Sequence, residues 1–270
     1  MICIGSTYEH GATNRWLDVC VSNLEELEKA LQDNLNDTKF VFWLDVSNIT
    51  GEIFPVKDIG HLCHKYNAFY ICDATALLGH VAIETNIDDW CDFLVLDGHK
   101  AGTELGIGGC WISDRLDKWL NGFKLHGTPN LVGALAMTQA VEDACNISSL
   151  EEKQARWMDL SDELYSRLLD VCDGVKQIGN NEGCWVINAI RLPGIDANAL
   201  QQYLASKRIY IGVGHSSCAD NKDFRILQYG YGLSEKEASE VIRISFGENS
   251  NETDILALAQ GVKEFKEKFV

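Results

Sequence analysis

The sequence has few positive charges. Its 270 residues include 23 lysines and arginines against 40 aspartates and glutamates, which gives a formal net charge of −17 at pH 7. A surface that acidic repels the phosphates of nucleic acids and of anionic membranes. The sequence also lacks an apolar run approaching about 18 residues, the length that predicts a membrane-spanning helix, and it shows no signal peptide. We therefore expect neither a nucleic-acid partner nor a membrane partner.

Paired cysteine motifs are also lacking, although cysteine itself is frequent. The ten cysteines form no Cys-x-x-Cys pair. Several lie in apolar, strand-like runs, such as Cys72 in AFYICDA and Cys110 in GIGGCWI. This pattern favours buried, reduced thiols over disulfides or a metal site. It predicts a reducing compartment, and hence a cytoplasmic protein.

The apolar pattern alternates short strand-like runs with amphipathic helical stretches, as in a mainly parallel sheet covered by helices. The predicted fold is therefore an α/β domain over residues 1–145, followed by a smaller α+β domain over 146–270. In the first domain we predict strands at 2–5, 40–46, 68–72, 92–96 and 108–112, and helices at 24–36, 55–66 and 131–145. In the second we predict strands at 186–191, 209–213 and 241–245, and helices at 197–207 and 252–268.

Four polar residues lie in or directly after predicted strands, where open α/β sheets bind ligands. Lys100 follows the run DFLVL, and a lysine there can bond covalently to a carbonyl or remain a solvated side chain. Asp73 can pair with a protonated ring nitrogen or cap the next turn. Asn48 can donate to a ligand or serve an Asn/Gly turn. Arg243, inside an apolar strand, can bind a carboxylate ligand or form a structural salt bridge.

The order of these pieces resembles the class V aminotransferase family, in particular its cysteine desulfurases and selenocysteine lyases. The resemblance runs over most of the chain and combines several short motifs. The matching stretches are STYEHGATNRW (6–16), VSNITGEIFPV (46–56), YICDATALLGHVAI (70–83), CDFLVLDGHKAGTELGIGG (91–109), HGTPNLVGALAM (126–137) and VIRISFGENSNETDI (241–255). The resemblance implies the aspartate-aminotransferase fold, which is fold type I of the pyridoxal-phosphate enzymes.

The resemblance also implies a cofactor site. Lys100 is similar to the lysine that binds pyridoxal phosphate covalently, and His99 to the histidine at the cofactor phosphate. Asp73 matches the aspartate at the pyridine nitrogen, and Asn48 the asparagine near the ring hydroxyl. His10 matches the histidine that stacks on the ring and moves protons.

The remaining implied residues concern the substrate and the assembly. Arg243 matches the arginine that holds the substrate carboxylate. Thr128 matches a residue that reaches the phosphate of a neighbouring subunit, which implies a homodimer. Cys218, in GHSSCAD, resembles the persulfide-forming cysteine of a similar family loop, although one residue is added here. Cys218 can instead be one more incidental thiol.

The sequence departs from the family pattern around the phosphate. The family's S-x-x-E-H strand follows a long N-terminal segment with a glycine-rich phosphate loop, whereas this chain begins almost at that strand, so we expect the loop to be missing. Asp97 replaces a serine or threonine that contacts the phosphate, and its charge should hinder phosphate binding unless a cation such as His99 lies beside it. Ala76 replaces a glutamine partner of the ring oxygen.

Two interpretations follow. The favoured one is a pyridoxal-phosphate enzyme that transfers sulfur from cysteine through a persulfide on Cys218, with a possible sulfur-acceptor protein. An aminotransferase or lyase acting on another amino acid is a variant of it. The alternative is a binding or scaffold protein that keeps the fold without the cofactor. No metal is expected.

Overall fold

The computed structural model describes residues 1–83, 86–124, 127–179, 183–214 and 224–270. These residues form two compact units. Unit 1 comprises Met1–Ser47 and Phe54–Leu150, and unit 2 comprises Asn48–Ile53 and Glu151–Val270. The sequence predicted a domain boundary near residue 146, with the short segment 48–53 in the first domain. In the structure the boundary follows Leu150, and Asn48–Ile53 belongs to unit 2.

Unit 1 is built on a six-stranded sheet with the order β2-β1-β3-β4-β5-β6. The first five strands are parallel, and β6 pairs with β5 antiparallel. The mainly parallel α/β architecture expected from the sequence is confirmed. The strands are β1 (Ile2–Ser6), β2 (Val19–Val21), β3 (Lys39–Phe42), β4 (Phe69–Asp73), β5 (Phe93–Asp97) and β6 (Gly108–Ile112).

Three helices of unit 1 lie where the sequence predicts them, near 24–36, 55–66 and 131–145. In α2 (Leu24–Asp33) the Asn23 side chain accepts a hydrogen bond from the Glu26 amide at 2.9 Å, while Leu27 and Leu31 are fully buried. Helix α3 (Val56–Lys65) follows Pro55, whose fixed φ suits a helix start. The helices are α1 (Gly11–Asn14), α2 (Leu24–Asp33), α3 (Val56–Lys65), α4 (Asp114–Trp119) and α5 (Leu131–Ala144). A further helix, α6 (Ile147–Val171), runs across the boundary of the units at Leu150.

Unit 2 contains an antiparallel sheet of four strands in the order β7-β8-β10-β9. Its strands are β7 (Lys176–Ile178), β8 (Ile187–Arg191), β9 (Gly212–Val213) and β10 (Val241–Ser245), and its remaining helices are α7 (Ala197–Ser206), α8 (Glu235–Ser239) and α9 (Glu252–Phe269). Buried side chains of α9, among them Ile255, Leu258 and Val262, supply much of its core.

Two findings concern membrane-spanning helices and cysteines. No helix in the described ranges is long and apolar enough to cross a membrane. None of the nine cysteines in those ranges forms a disulfide, and five of them are buried: Cys63, Cys72, Cys91, Cys172 and Cys184. Three others, Cys20, Cys110 and Cys145, are exposed, so the expectation of buried thiols holds for part of the set.

Candidate active site

The parallel strands of unit 1 bring several predicted residues to one edge of the sheet. Because β1, β3, β4 and β5 run in the same direction, the residues that follow them lie at the same edge. His10 follows β1, Asp73 ends β4, and Lys100 follows β5. Strands β4 and β5 are neighbours, so Asp73 and the turn that carries Lys100 lie on adjacent strands.

Lys100 lies in a short 3-10 turn, His99–Ala101, directly after β5. The turn needs Gly98, because a Cβ there would lie 2.3 Å from Thr103 Oγ1 and 2.9 Å from the Ile107 carbonyl oxygen. Ala101 packs against a buried cluster that includes Met137 of α5, and this contact helps to hold the turn in place. The Lys100 side chain is exposed and makes no hydrogen bond or ion pair within the described residues. Its amine is therefore available to a ligand.

Asp97 and His99 form a close pair at the start of the same turn. His99 Nδ1 lies 2.6 Å from Asp97 Oδ1, and the His99 amide donates to the same oxygen at 3.0 Å. The imidazole therefore presents its Nε2 side away from the carboxylate. From the sequence, Asp97 was predicted to oppose a phosphate unless a cation such as His99 lay beside it, and the His99 ring is in contact with the Asp97 carboxylate.

Asp73 is half-buried at the end of β4, and its Oδ1 accepts a hydrogen bond from the Thr75 amide at 3.0 Å. This contact is the turn-capping role that the sequence left open, and it still leaves Oδ2 for a ligand. Ala76, three residues later, is 5% exposed, so the position of the family's glutamine offers no polar group.

His10 caps the short helix α1. Its Nδ1 accepts a hydrogen bond from the Ala12 amide at 3.2 Å. An Nδ1 that accepts a hydrogen bond carries no proton, so the ring proton of the neutral imidazole is on Nε2. The cap therefore fixes both the ring orientation and its tautomer, and leaves Nε2 for proton transfer.

Arg243 and Asn48 are brought together in unit 2. Arg243 Nη1 donates to the Asn48 carbonyl oxygen at 3.0 Å. The predicted alternative for Arg243, a structural salt bridge, is not found within the described residues, and burial lowers the pKa of the guanidinium. Gly212 leaves room for the side chain, because a Cβ there would lie 3.0 Å from Arg243 Nε. The guanidinium is thus held by one backbone oxygen and keeps donors for an anion.

Asn48 lies in a turn that is fixed by Gly51. Gly51 adopts φ +76°, and a Cβ there would lie 2.4 Å from the Ile187 carbonyl oxygen and 2.6 Å from that of Cys184. The Asn48 Oδ1 atom is buried without a hydrogen-bond partner among the described residues. A buried polar atom of this kind suggests a missing partner, such as a ligand.

Thr128 and Cys218 are the two remaining predicted residues. Thr128 is exposed in unit 1, in the segment that leads into α5. Cys218 lies outside the described residues, so its role stays a prediction.

Two carboxyl groups that were not predicted from the sequence lie at the same edge of unit 1. Glu9 and Asp45 follow β1 and β3, and they are 1% and 3% exposed. Burial, and then the neighbouring Asp73, raise the pKa of Glu9 to about 8 against the opposing effect of hydrogen bonds from Leu44 and Ser6. Both acids adjoin large apolar residues in the stretches TYEH and FWLDV, a signal that could have identified them.

The comparison with protein families decides the membership of the chain. Residues 7–258 match the family model described as aminotransferase class-V. The chain belongs to the class V aminotransferase family. The predicted resemblance is therefore confirmed over most of the sequence.

Curated class V relatives resemble the chain at low identity. A probable cysteine desulfurase of Chlamydia trachomatis is 26% identical over 271 residues, which cover 90% of this chain and 62% of the relative. The cysteine desulfurase IscS of Clostridium botulinum is 25% identical over 248 residues, which cover 86% of this chain and 60% of the relative. The chain thus spans about three fifths of the length of these relatives.

Solved structures share the fold of this chain. A NifS-like protein from Rickettsia africae superposes with a TM-score of 0.84 at 21% identity, over 98% of this chain and 76% of that chain. The apo structure of a cysteine desulfurase from Thermococcus onnurineus gives a TM-score of 0.72 at 19% identity, over 98% and 73%. At these identities the likeness establishes the fold.

Proposed function

We propose that this class V chain is a pyridoxal-phosphate-dependent enzyme that acts on an amino acid. The reaction that we favour is a cysteine desulfurase-like transfer of sulfur from cysteine. The observation that carries the proposal is the placement of His10, Asp73 and Lys100 at one sheet edge of unit 1. The curated relatives described as cysteine desulfurases support the choice of reaction.

The described residues fit the ring end of pyridoxal phosphate. Lys100 offers a free amine for the aldehyde carbon, and Asp73 offers a carboxylate oxygen for the ring nitrogen. The role at the ring hydroxyl is assigned to Asn48 by the family resemblance; its Oδ1 is buried in unit 2 without a hydrogen-bond partner among the described residues. At the phosphate end, His99 is the candidate donor, and because its Nδ1 faces Asp97, it donates to an anion through Nε2 when both ring nitrogens carry protons.

Each residue then has a distinct role. When bound, pyridoxal phosphate supplies an electron sink for the substrate's Cα. Asp73 holds the proton on the ring nitrogen, and Lys100 holds the cofactor and moves a proton at Cα. His10 moves a proton through Nε2, because Nδ1 is occupied by the Ala12 amide. Arg243 binds the substrate carboxylate through the donors that its contact with Asn48 leaves free.

The proposed sulfur transfer uses Cys218. Its thiolate attacks the sulfur of substrate cysteine and forms a sulfur–sulfur bond. The carbon–sulfur bond breaks, its electron pair stays with the carbon, and a proton taken up there gives alanine. The persulfide on Cys218 then passes its sulfur to an acceptor, which we propose is a protein. A cytoplasmic homodimer, with Thr128 near the partner's phosphate, completes the proposal.

Covalent labelling at Lys100 tests the cofactor assignment. The chain is mixed with pyridoxal phosphate, reduced with borohydride and mapped by peptide mass spectrometry. We expect the adduct on Lys100 and its loss in Lys100→Arg, with Lys118→Arg as the control because Lys118 is exposed in the same unit. Labelling that is absent, or spread evenly over exposed lysines, would overturn the enzyme proposal and favour the cofactor-free binding or scaffold protein.

Product analysis tests the reaction. We expect alanine and sulfide from cysteine with the wild type and a reducing acceptor, and loss of both in Cys218→Ala. Unchanged release in that variant would remove Cys218 from the mechanism. No release by either protein, with the cofactor on Lys100, would point to an aminotransferase or lyase that acts on another amino acid.

A further inference from the structure

Three carboxyl groups lie at the ends of three adjacent strands in unit 1. Glu9 follows β1, Asp45 follows β3, and Asp73 ends β4, and the strands are neighbours in the order β1-β3-β4. The Asp45 amide donates to the Asp73 carbonyl oxygen at 3.3 Å, so a backbone hydrogen bond joins these two strand ends. Glu9 and Asp45 both interact electrostatically with Asp73, which belongs to the candidate active site.

Glu9 ties two of the strand ends together. Its Oε1 accepts a hydrogen bond from the Leu44 amide at 2.7 Å and lies 3.3 Å from Ser6 Oγ. The Glu9 side chain is nearly inaccessible to water, so an ionised Glu9 would lose its hydration and keep only these hydrogen bonds from neutral donors. Because such bonds compensate poorly for the lost hydration, burial favours the protonated form.

The burial of Asp45 is less well compensated by hydrogen bonds than that of Glu9. It is 3% exposed, and neither carboxyl oxygen has a hydrogen-bond partner within the described residues. Burial is the main cause that raises the pKa of Asp45, and Asp73 and Glu9 raise it further. The nearby Val46 amide opposes the shift without forming a hydrogen bond of normal geometry. An ionised, unpaired carboxylate at this depth would be strongly destabilising.

Among the described residues, the groups that face the two buried acids include no compensating cation. Glu9 faces Asp73, Ser6 and the Leu44 amide. Asp45 faces Glu9 and Asp73, and on β4 it also acts on the Tyr70 hydroxyl and the Cys72 thiol, whose pKa values are themselves raised, mainly by burial. Like charges that share a buried region are avoided by keeping protons on some of them. Asp73 is the most exposed of the three carboxyl groups and has an amide donor.

We propose that Glu9 and Asp45 are positioning residues that hold protons at neutral pH, so that the negative charge at this edge is concentrated on Asp73. This arrangement presents a single carboxylate, that of Asp73, to a single protonated ring nitrogen, and in this respect the inference rests on the proposed function. Glu9 joins the ends of β1 and β3 through the Leu44 amide, and neither neutral acid competes for the proton of the ring nitrogen. Ionisation of Glu9 at higher pH adds a second negative charge close to Asp73.

Infrared spectroscopy of the protein without added cofactor tests the protonation. At about pH 6.5 we expect a protonated-carboxyl stretch that is lost in part in Glu9→Gln and in part in Asp45→Asn. The Glu9 part should disappear with a midpoint at about pH 8. Glu142→Gln is the matched control, since Glu142 is exposed in α5 of the same unit. Absence of these bands at about pH 6.5 would overturn the inference. If a variant fails to fold, the titration of the wild-type band decides.

Binding of pyridoxal phosphate tests the positioning role. An amide mimics a neutral acid, so Glu9→Gln and Asp45→Asn should bind the cofactor within about twofold of the wild type at neutral pH, whereas removal of a real charge would change affinity about tenfold. Asp73→Asn should weaken binding by that larger factor. The wild-type affinity should change near pH 8, and Glu9→Gln should lack that change while Glu142→Gln keeps it.

The two proposals fail in different ways. If pyridoxal phosphate does not bind Lys100 but the infrared bands appear and titrate as expected, the cofactor proposal fails and the protonation stands. If the cofactor binds Lys100 but Glu9→Gln keeps the step near pH 8, or either amide variant changes neutral-pH affinity about tenfold, the positioning inference fails and the function stands.

Discussion

Replacing Glu9 by glutamine should make the protein more stable at alkaline pH. In the folded chain the pKa of Glu9 is raised from 4.5 to about 8, mainly by burial. Between these values the unfolded chain has released the proton and the folded chain retains it. Stability from this group is therefore fully present below about pH 4.5 and is lost as the pH rises through about 8. Glutamine keeps an acceptor for the Leu44 amide but cannot ionise, so it removes this loss.

The size of the effect follows from the shift. At about 1.36 kcal/mol per pKa unit, the interval from 4.5 to about 8 corresponds to an upper limit of roughly 5 kcal/mol in the free energy of unfolding. Urea unfolding of wild type and Glu9→Gln at about pH 5 and pH 9 measures it. We expect the variant to gain at least about 2 kcal/mol relative to the wild type between the two pH values, and Glu142→Gln to gain nothing. Equal pH slopes for wild type and Glu9→Gln would refute the reasoning.

Three other substitutions give separate tests. Asp92→Asn should lower the unfolding free energy by about 3–5 kcal/mol, measured by urea unfolding, because the buried Asp92 accepts from Arg115 Nη2 at 2.7 Å and Nε at 2.9 Å. Gly212→Ala should raise the KM for the amino-acid substrate about three- to tenfold with Tm little changed, since its Cβ would crowd the Arg243 guanidinium. Asp97→Ser should weaken pyridoxal-phosphate binding, measured by absorbance titration, because it frees the paired histidine; tighter binding would mean that the charge of Asp97 dominates.

The fold was predictable where the apolar pattern is local and strong. Strand β6 was predicted with its observed bounds, Gly108–Ile112, and β10 likewise at Val241–Ser245. The run 40–46 was predicted as one strand, whereas regular pairing in β3 ends at Phe42. Beyond it the Trp43 and Asp45 amides still donate to β4, at 3.2 and 3.3 Å, so the run continues the sheet edge without the regular ladder.

Other elements depend on tertiary contacts that a sequence pattern does not reveal. Strands β2 and β7 are three residues each, too short to carry a periodic signal, and they exist because they pair with β1 and β8. Helix α6 was missed although its sequence is amphipathic, with Trp157, Leu164 and Leu168 buried on one face. The predicted domain boundary falls at residue 146, whereas residues 147–149 form the first turn of α6 and the Asn146 side chain accepts a hydrogen bond from the Ser149 amide at 3.3 Å.

The candidate site also contains residues that the sequence pattern reveals and residues whose properties depend on tertiary contacts. The sequence identified Asp73 and Lys100 because a polar residue after an apolar strand is visible in one dimension, and the parallel sheet then places them on adjacent strands. Glu9 and Asp45 have the same one-dimensional signal, yet their chemistry depends on what lies beside them. A carboxyl that keeps its proton near neutrality needs burial, a like charge nearby and no cation, and each of these conditions comes from other strands. The residues that a ligand touches can therefore be inferred from sequence motifs, whereas the charge state of their neighbours follows from the packing of the sheet edge.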